Sequence, residues 1–181
     1  MKHRPTAFVD RDGVINRKRP DGEYVNRREE FELLPGSIDA LAALSRAGYK
    51  IVIVTNQQGI AKGVTERSFV DNLHKELAVA VAAAGGRIDQ VQVCPHLADT
   101  CECRKPAIGL FEQARAVDPL IDFAGSVVIG DSQSDVDAAL QIGARPVLVT
   151  ATCQAAQRSG GVAEVADLAA AAELLTEVAS V

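Results

Sequence analysis

The chain has 181 residues, 48% of them hydrophobic, which is enough for one good core and short for two, so a single domain over 1–181 is expected. A formal charge of -5 and a pI near 5.2 exclude broad electrostatic capture of nucleic acid or an anionic membrane, since both need a basic face. No apolar run approaches the roughly 20 residues of a membrane span, and MKHRPTAFVDRDG contains no signal-peptide core, so a soluble, cytoplasmic protein is expected.

Short β-branched apolar runs recur at TAFVD (6–10), YKIVIVTN (49–56), IDQVQVCP (88–95), GSVVIGD (125–131) and ARPVLVT (144–150), and each predicts a buried strand. Helix-length stretches fall at 36–47 behind Pro35-Gly36, at 65–84, at 107–117 behind Pro106, at 133–142 and near 163–178. This alternation predicts an α/β fold with a parallel sheet covered on both faces. Three strands end in polar residues: Asp10, then Thr55 with Asn56, then Asp131. Ligands of open parallel sheets bind at the carboxyl ends of the strands, so the three ends can converge on one crevice. Any one of them taken singly reads equally as a turn or helix cap.

FVDRDGVIN (8–16) places Asp10 and Asp12 two residues apart before Gly13. In a locally extended chain both carboxylates point the same way, and the glycine permits a turn that brings amides to a phosphate. One carboxylate can attack phosphorus while the other protonates the leaving alcohol and then activates water. The same pattern occurs in calcium loops and plain turns. In VTNQQGIAKG (54–63), Thr55 and Asn56 are uncharged groups able to hydrogen-bond a phosphoryl oxygen. In VVIGDSQSD (127–135), Asp131 with Asp10 and a backbone oxygen suits magnesium, whereas Ser132 and Asp135 have the spacing of a capping box.

CPHLADTCECRKP (94–106) packs Cys94, His96, Cys101 and Cys103 into ten positions, a set that fits tetrahedral structural zinc. Such a site fixes the following residues, Lys105 as an ammonium for a phosphoryl group and Arg104 as a fork for another anion. His3, His74 and Cys153 read as structural or incidental.

Taken together, Asp10 to Gly13, Thr55-Asn56, Lys105 and Gly130-Asp131 resemble the four ordered motifs of the haloacid dehalogenase superfamily, across the whole chain. The added zinc set and Arg104-Lys105-Pro106 resemble the branch that holds heptose-bisphosphate and histidinol-phosphate phosphatases. That resemblance implies a Rossmann-like three-layer domain in which the zinc loop 94–103 stands in place of a large cap. It implies Asp10 as nucleophile and magnesium ligand, Asp12 as acid/base and carbonyl ligand, Asp131 as the remaining ligand, and Thr55 and Lys105 on the phosphoryl group. Substrate contacts are expected from Arg11, Asp21, Tyr24, Asn56, Gln57 and Arg104, with Arg17, Lys18 and Arg19 near a distal phosphate. NQQGIAKG and Asp21 to Tyr24 are similar to the heptose enzymes, which implies a phosphorylated sugar substrate, a place in activated-heptose synthesis and a monomer. The short His96-to-Cys101 spacing and Ser132 keep histidinol phosphate as the alternative. A catalytically silent zinc-bearing module is the reading from another class.

Overall fold

The computed structural model describes residues 4–153 and 156–178. Seven strands form one sheet: β1 (Thr6–Val9), β2 (Lys50–Asn56), β3 (Gln90–Cys94), β4 (Val127–Gly130), β5 (Arg145–Val149), β6 (Gln157–Ser159) and β7 (Val162–Val165). Their order is β3-β2-β1-β4-β5-β7-β6, and every neighbouring pair is parallel except β6 with β7. The helices are α1 (Ser37–Arg46), α2 (Arg67–Ala83), α3 (Gly109–Val117), α4 (Gln133–Ile142) and α5 (Leu168–Val178). No described helix is long and apolar enough to cross a membrane.

Alternation along the buried strands sorts the core into two layers. Ala7 and Val9, Ile51 and Ile53, and Val127 and Ile129 face Leu41 and Leu44 of α1, Leu77 of α2 and Leu175 of α5. Phe8, Val52, Val54 and Val128 face Leu110 and Phe111 of α3 and Ala138 and Ala139 of α4. The central strands are buried throughout, which explains why they read as unbroken apolar runs rather than as alternating ones.

The sequence places its last helix too early. Val162–Val165 is a strand whose Ala163 and Val165 are buried, paired with Val147 and Val149 of β5. Tertiary pairing overrides the helix preference of alanine and glutamate there. The helix starts after Asp167, whose carboxylate accepts the Ala170 N–H at 2.8 Å, as a cap does. The hairpin strand β6 is also absent from the sequence reading, being only three residues long.

The topology fixes the position of the site. Successive strands run outward from β1 through β2 to β3, and then the chain returns to β4 on the other side of β1. Adjacent loops diverge at that reversal and leave a crevice above the strand ends. Asp10 follows β1 and Asp131 follows β4, one on each side of the crevice, and the Asp10 N–H donates to the Ile129 carbonyl at 2.8 Å.

Candidate active site

A cleft of about 320 Å³ opens at this point, and all the expected catalytic, magnesium and substrate residues border it, from Asp10, Asp12 and Thr55 to Arg104, Lys105 and Asp131. At its floor the Lys105 ammonium, with a side chain 1% exposed, lies 2.9 Å from Asp10 Oδ1 and 2.5 Å from Asp135 Oδ1. It also donates to the Val54 carbonyl at 2.9 Å, so three acceptors hold one buried cation. Asp135 forms the expected capping box with Ser132 at the start of α4, and its other oxygen holds Lys105.

The Arg11 N–H donates to Asp10 Oδ1 at 2.8 Å, the same oxygen that faces Lys105, so neither contact engages Oδ2. Burial, reinforced by Asp135 and Asp12 against the opposing pull of Lys105, pushes the Asp10 carboxyl up to about 7. Burial also opposes ionisation of Asp12, but the Arg11 guanidinium and hydrogen bonds from Arg11, Asn16 and Gln57 hold it below the usual carboxylate range. The pair therefore has two different electrostatic environments two residues apart. Lys105 is raised, burial being outweighed by Asp10 and Asp135.

Three consecutive residues at the end of β2 organise these groups. Gln57 Nε2 donates to Asp12 Oδ2 at 2.7 Å and to Thr55 Oγ1 at 2.8 Å. Asn56, expected on the substrate, instead exchanges hydrogen bonds with the Lys105 backbone at 3.1 and 3.2 Å and fixes the strand to the cysteine loop. Arg11 also differs from its expectation: its guanidinium points inward onto Asp12, and only the backbone faces Asp10. A side chain confined between buried neighbours and a carboxylate has no freedom to reach a ligand.

The basic loop separates into distinct positions. Arg17 pairs with exposed Glu32 and is turned away from the cleft, because its own N–H is hydrogen-bonded to the Glu32 carbonyl. Lys18 lies 2.8 Å from Asp131 Oδ2, at the carboxylate end rather than the distal end. Arg19 borders the cleft and pairs with Glu23 at 2.5 Å. Arg19, Tyr24 and Arg104 line this cleft, and Arg19 Nε, Arg104 Nη1 and the Tyr24 hydroxyl are themselves buried without a hydrogen-bond partner among the described residues.

Carboxylate oxygens of Asp10, Asp131 and Asp135 lie within 4.8 Å of one another, an all-oxygen set suited to a hard divalent cation. The Lys18 ammonium against Asp131 is a stand-in cation at that cluster. Gly13, at φ +90°, packs so closely on the Asp131 carboxylate that a Cβ would overlap it.

The four zinc candidates also come together. Cys94 Sγ lies 3.6 Å from Cys101 Sγ and 3.8 Å from His96 Nδ1, Cys101 Sγ 3.4 Å from Cys103 Sγ, and His96 Nδ1 3.2 Å from Cys103 Sγ. A tetrahedron with metal–sulfur bonds of about 2.3 Å has sulfur–sulfur edges of about 3.8 Å, so the donor set fits zinc. Although burial opposes it, N–H donation from the Arg104 and Cys103 backbone draws the Cys101 thiol down to about 6.

Four contributors carry little sequence signal: Asn16 on Asp12, Lys18 on Asp131, Asp135 beneath Lys105, and His74 on Arg11. Asp135 had its capping-box spacing and Lys18 its place in the basic run 17–19, though neither pointed to the partner it has.

A family model described as HAD-hydrolase-like matches residues 102–177. The D-glycero-beta-D-manno-heptose-1,7-bisphosphate 7-phosphatase of Bordetella bronchiseptica is 38% identical over 179 residues, 95% of this chain and 98% of that protein. The D-glycero-alpha-D-manno-heptose-1,7-bisphosphate 7-phosphatase of Mycobacterium tuberculosis is 39% identical over 163 residues, 90% of this chain and 85% of that protein. The crystal structure of D,D-heptose 1,7-bisphosphate phosphatase from B. bronchiseptica, complexed with magnesium and phosphate, superposes with a TM-score of 0.83 at 34% identity, covering 96% of this chain and 99% of that one. The chain belongs to the haloacid dehalogenase superfamily, in the branch of these phosphatases. It is thus a phosphoric monoester hydrolase, and the silent-module reading is set aside.

Proposed function

We propose that this chain is a monomeric, cytoplasmic, single-domain phosphatase that removes the 7-phosphate from D-glycero-D-manno-heptose 1,7-bisphosphate in activated-heptose synthesis. The observation that carries the chemistry is the convergence of Asp10, Asp12, Lys105 and Asp131 in one cleft. Relatives bearing that substrate in their names, over nearly the full chain, support its identity.

Asp10 attacks phosphorus and forms a phosphoaspartate, while the bond to the sugar oxygen breaks. Asp12 first takes up a proton from solvent against the pull of the Arg11 guanidinium and gives it to that oxygen, then takes one from the water that hydrolyses the acyl phosphate and releases inorganic phosphate. Lys105 and Thr55 hold the transferred phosphoryl oxygens, and Lys105 keeps Asp10 oriented through Oδ1. Magnesium would be held by Asp10, Asp131 and the Asp12 carbonyl, and when bound it supplies the positive charge that offsets the meeting of carboxylate and phosphate. Zinc on Cys94, His96, Cys101 and Cys103 would be structural, holding the loop that presents Arg104 and Lys105. Arg104, with Arg19, Asp21 and Tyr24, receives the far end of the substrate; all four line the cleft, and Arg104 and Arg19 bring positive charge to it.

The test is kcat/KM for both anomers of heptose 1,7-bisphosphate against histidinol phosphate, in wild type and Arg104→Ala. A charge-assisted contact of about 1.5–3 kcal/mol predicts a loss of roughly tenfold to over a hundredfold for the bisphosphate in the variant. Faster turnover of histidinol phosphate would overturn the substrate assignment. An unchanged value in Arg104→Ala would remove that residue from it.

A further inference from the structure

We propose that His74 is a positioning residue for catalysis, acting through Arg11 on Asp12; this rests on the reading of Asp12 as general acid/base. The Arg11 side chain is almost wholly enclosed, 1% exposed, with its guanidinium carbon 5.6 Å from the centre of the Phe31 ring. Its Nη2 donates to both oxygens of Asp12 at 2.8 and 3.0 Å, and its Nε donates to Oδ1 at 3.2 Å. That leaves Nη1, which faces His74 Nε2 at 3.4 Å.

Arginine has donors and no acceptor, so the ring nitrogen facing it must carry a lone pair, and His74 is neutral with its proton on Nδ1. The surroundings agree, because burial and the Arg11 charge both disfavour an imidazolium at this position. His74 lies on the inward stripe of α2 with Val70, Leu73 and Leu77, where a hydrophobic residue would serve packing equally well. The imidazole adds an acceptor for the one arm of the guanidinium that has no carboxylate. Without it, Nη1 is a buried charged donor left unpaired, and the guanidinium is free to turn off one Asp12 oxygen. His74 is absent from the cleft lining, so its effect reaches the chemistry only through Arg11.

The dependence on leaving group separates this role from a packing role. A general acid matters when the departing oxygen is a poor leaving group and hardly at all when it is an acidic phenol. In His74→Leu, kcat/KM should fall about tenfold on a sugar phosphate and less than about twofold on p-nitrophenyl phosphate, whereas His74→Gln, which restores a neutral acceptor, should stay within about twofold on both. Equal losses on the two substrates, no loss on the sugar phosphate, or failure of glutamine to rescue would each overturn the inference. Asp12→Ala is measured alongside. If its losses ignore the leaving group, the acid/base reading of Asp12 fails; if Asp12→Ala shows the dependence and His74→Leu does not, only the role of His74 fails. Should His74→Leu not fold, the wild-type protein still decides: side-chain nitrogen NMR at pH 7.5 should find His74 neutral and protonated on Nδ1, and an imidazolium or the other tautomer overturns the proposal.

Discussion

Replacing Lys105 with methionine removes the one cation that, among the described residues, contacts both Asp10 and Asp135 while keeping most of the side-chain volume. Breaking a buried, hydrogen-bonded ion pair costs about 3–5 kcal/mol, since the remaining charge is stranded. The Asp10 carboxyl, raised to about 7 with burial as its main cause, makes that cost depend on pH. A carboxyl raised above its unfolded value contributes stability that is present below the unfolded pKa and is lost as pH rises through the folded one. At pH 6 wild-type Asp10 is already largely protonated in metal-free protein, and the variant loses the Lys105 contacts alone, about 3 kcal/mol. At pH 8 wild-type Asp10 is ionised, whereas in the variant its pKa has moved higher still, which adds about 1.4 kcal/mol for the single pH unit above 7. Urea unfolding of both proteins at the two pH values, without added magnesium, should therefore give a larger difference at pH 8. A difference below about 1 kcal/mol, or one that shrinks as pH rises, would refute the reasoning about this buried cluster.

Asp10→Asn should abolish turnover and leave the metal-free protein at least as stable, because it replaces a carboxyl that burial already disfavours as an ion; substantial activity would exclude covalent catalysis by Asp10. Gly13→Ala puts a Cβ onto the Asp131 carboxylate in a left-handed backbone conformation, so magnesium-dependent stabilisation in thermal melts should weaken by at least about tenfold in apparent affinity. Burial, with Arg11 adding to it, pushes His74 down to about 4, below its unfolded value; the unfolded chain then binds the extra proton between about pH 6.5 and 4, and stability falls across that window by about 3 kcal/mol as pH drops. His74→Gln should flatten that part of the pH–stability curve, measured by urea unfolding. Elemental analysis of protein purified without chelator should find one zinc per chain, and Cys101→Ser should lower that content together with the melting temperature.

The central strands were legible because they are buried on both faces, and an apolar β-branched run such as Lys50–Asn56 has few other uses. Val162–Val165 was not, because its composition favours a helix and only pairing with β5 decides otherwise. The carboxylates at the strand ends and the crowded cysteines were visible as spacing, which the fold converts directly into proximity. Side-chain direction was not visible. Nothing in the local sequence says that Arg11 turns inward, that Asn56 holds a backbone rather than a ligand, or that Lys18 and Arg17, adjacent in the chain, go to opposite ends of the loop's reach. The Arg17, Asn56 and Lys18 outcomes depend on partners 15 to 113 positions away, and the direction of Arg11 on adjacent Asp12 together with His74, 63 positions away.

The end of β2 sets limits on how this protein can diversify. Thr55, Asn56 and Gln57 each hold a different part of the chemistry, so a change at any of them disturbs the acid/base group or the buried lysine together with its own position. The segment 17–24 has the opposite character. Its Arg17 and Arg19 pairs are partly to largely exposed and individually worth at most about 1 kcal/mol, and within it Gly22, at φ +85°, is a position where a side chain would be strained. Outside that glycine, mutation can therefore sample new contacts for the distal part of a substrate in that loop at little risk to folding, while the reacting centre stays the same. Lineages carrying this scaffold would be expected to change what they accept far more readily than what they do to it.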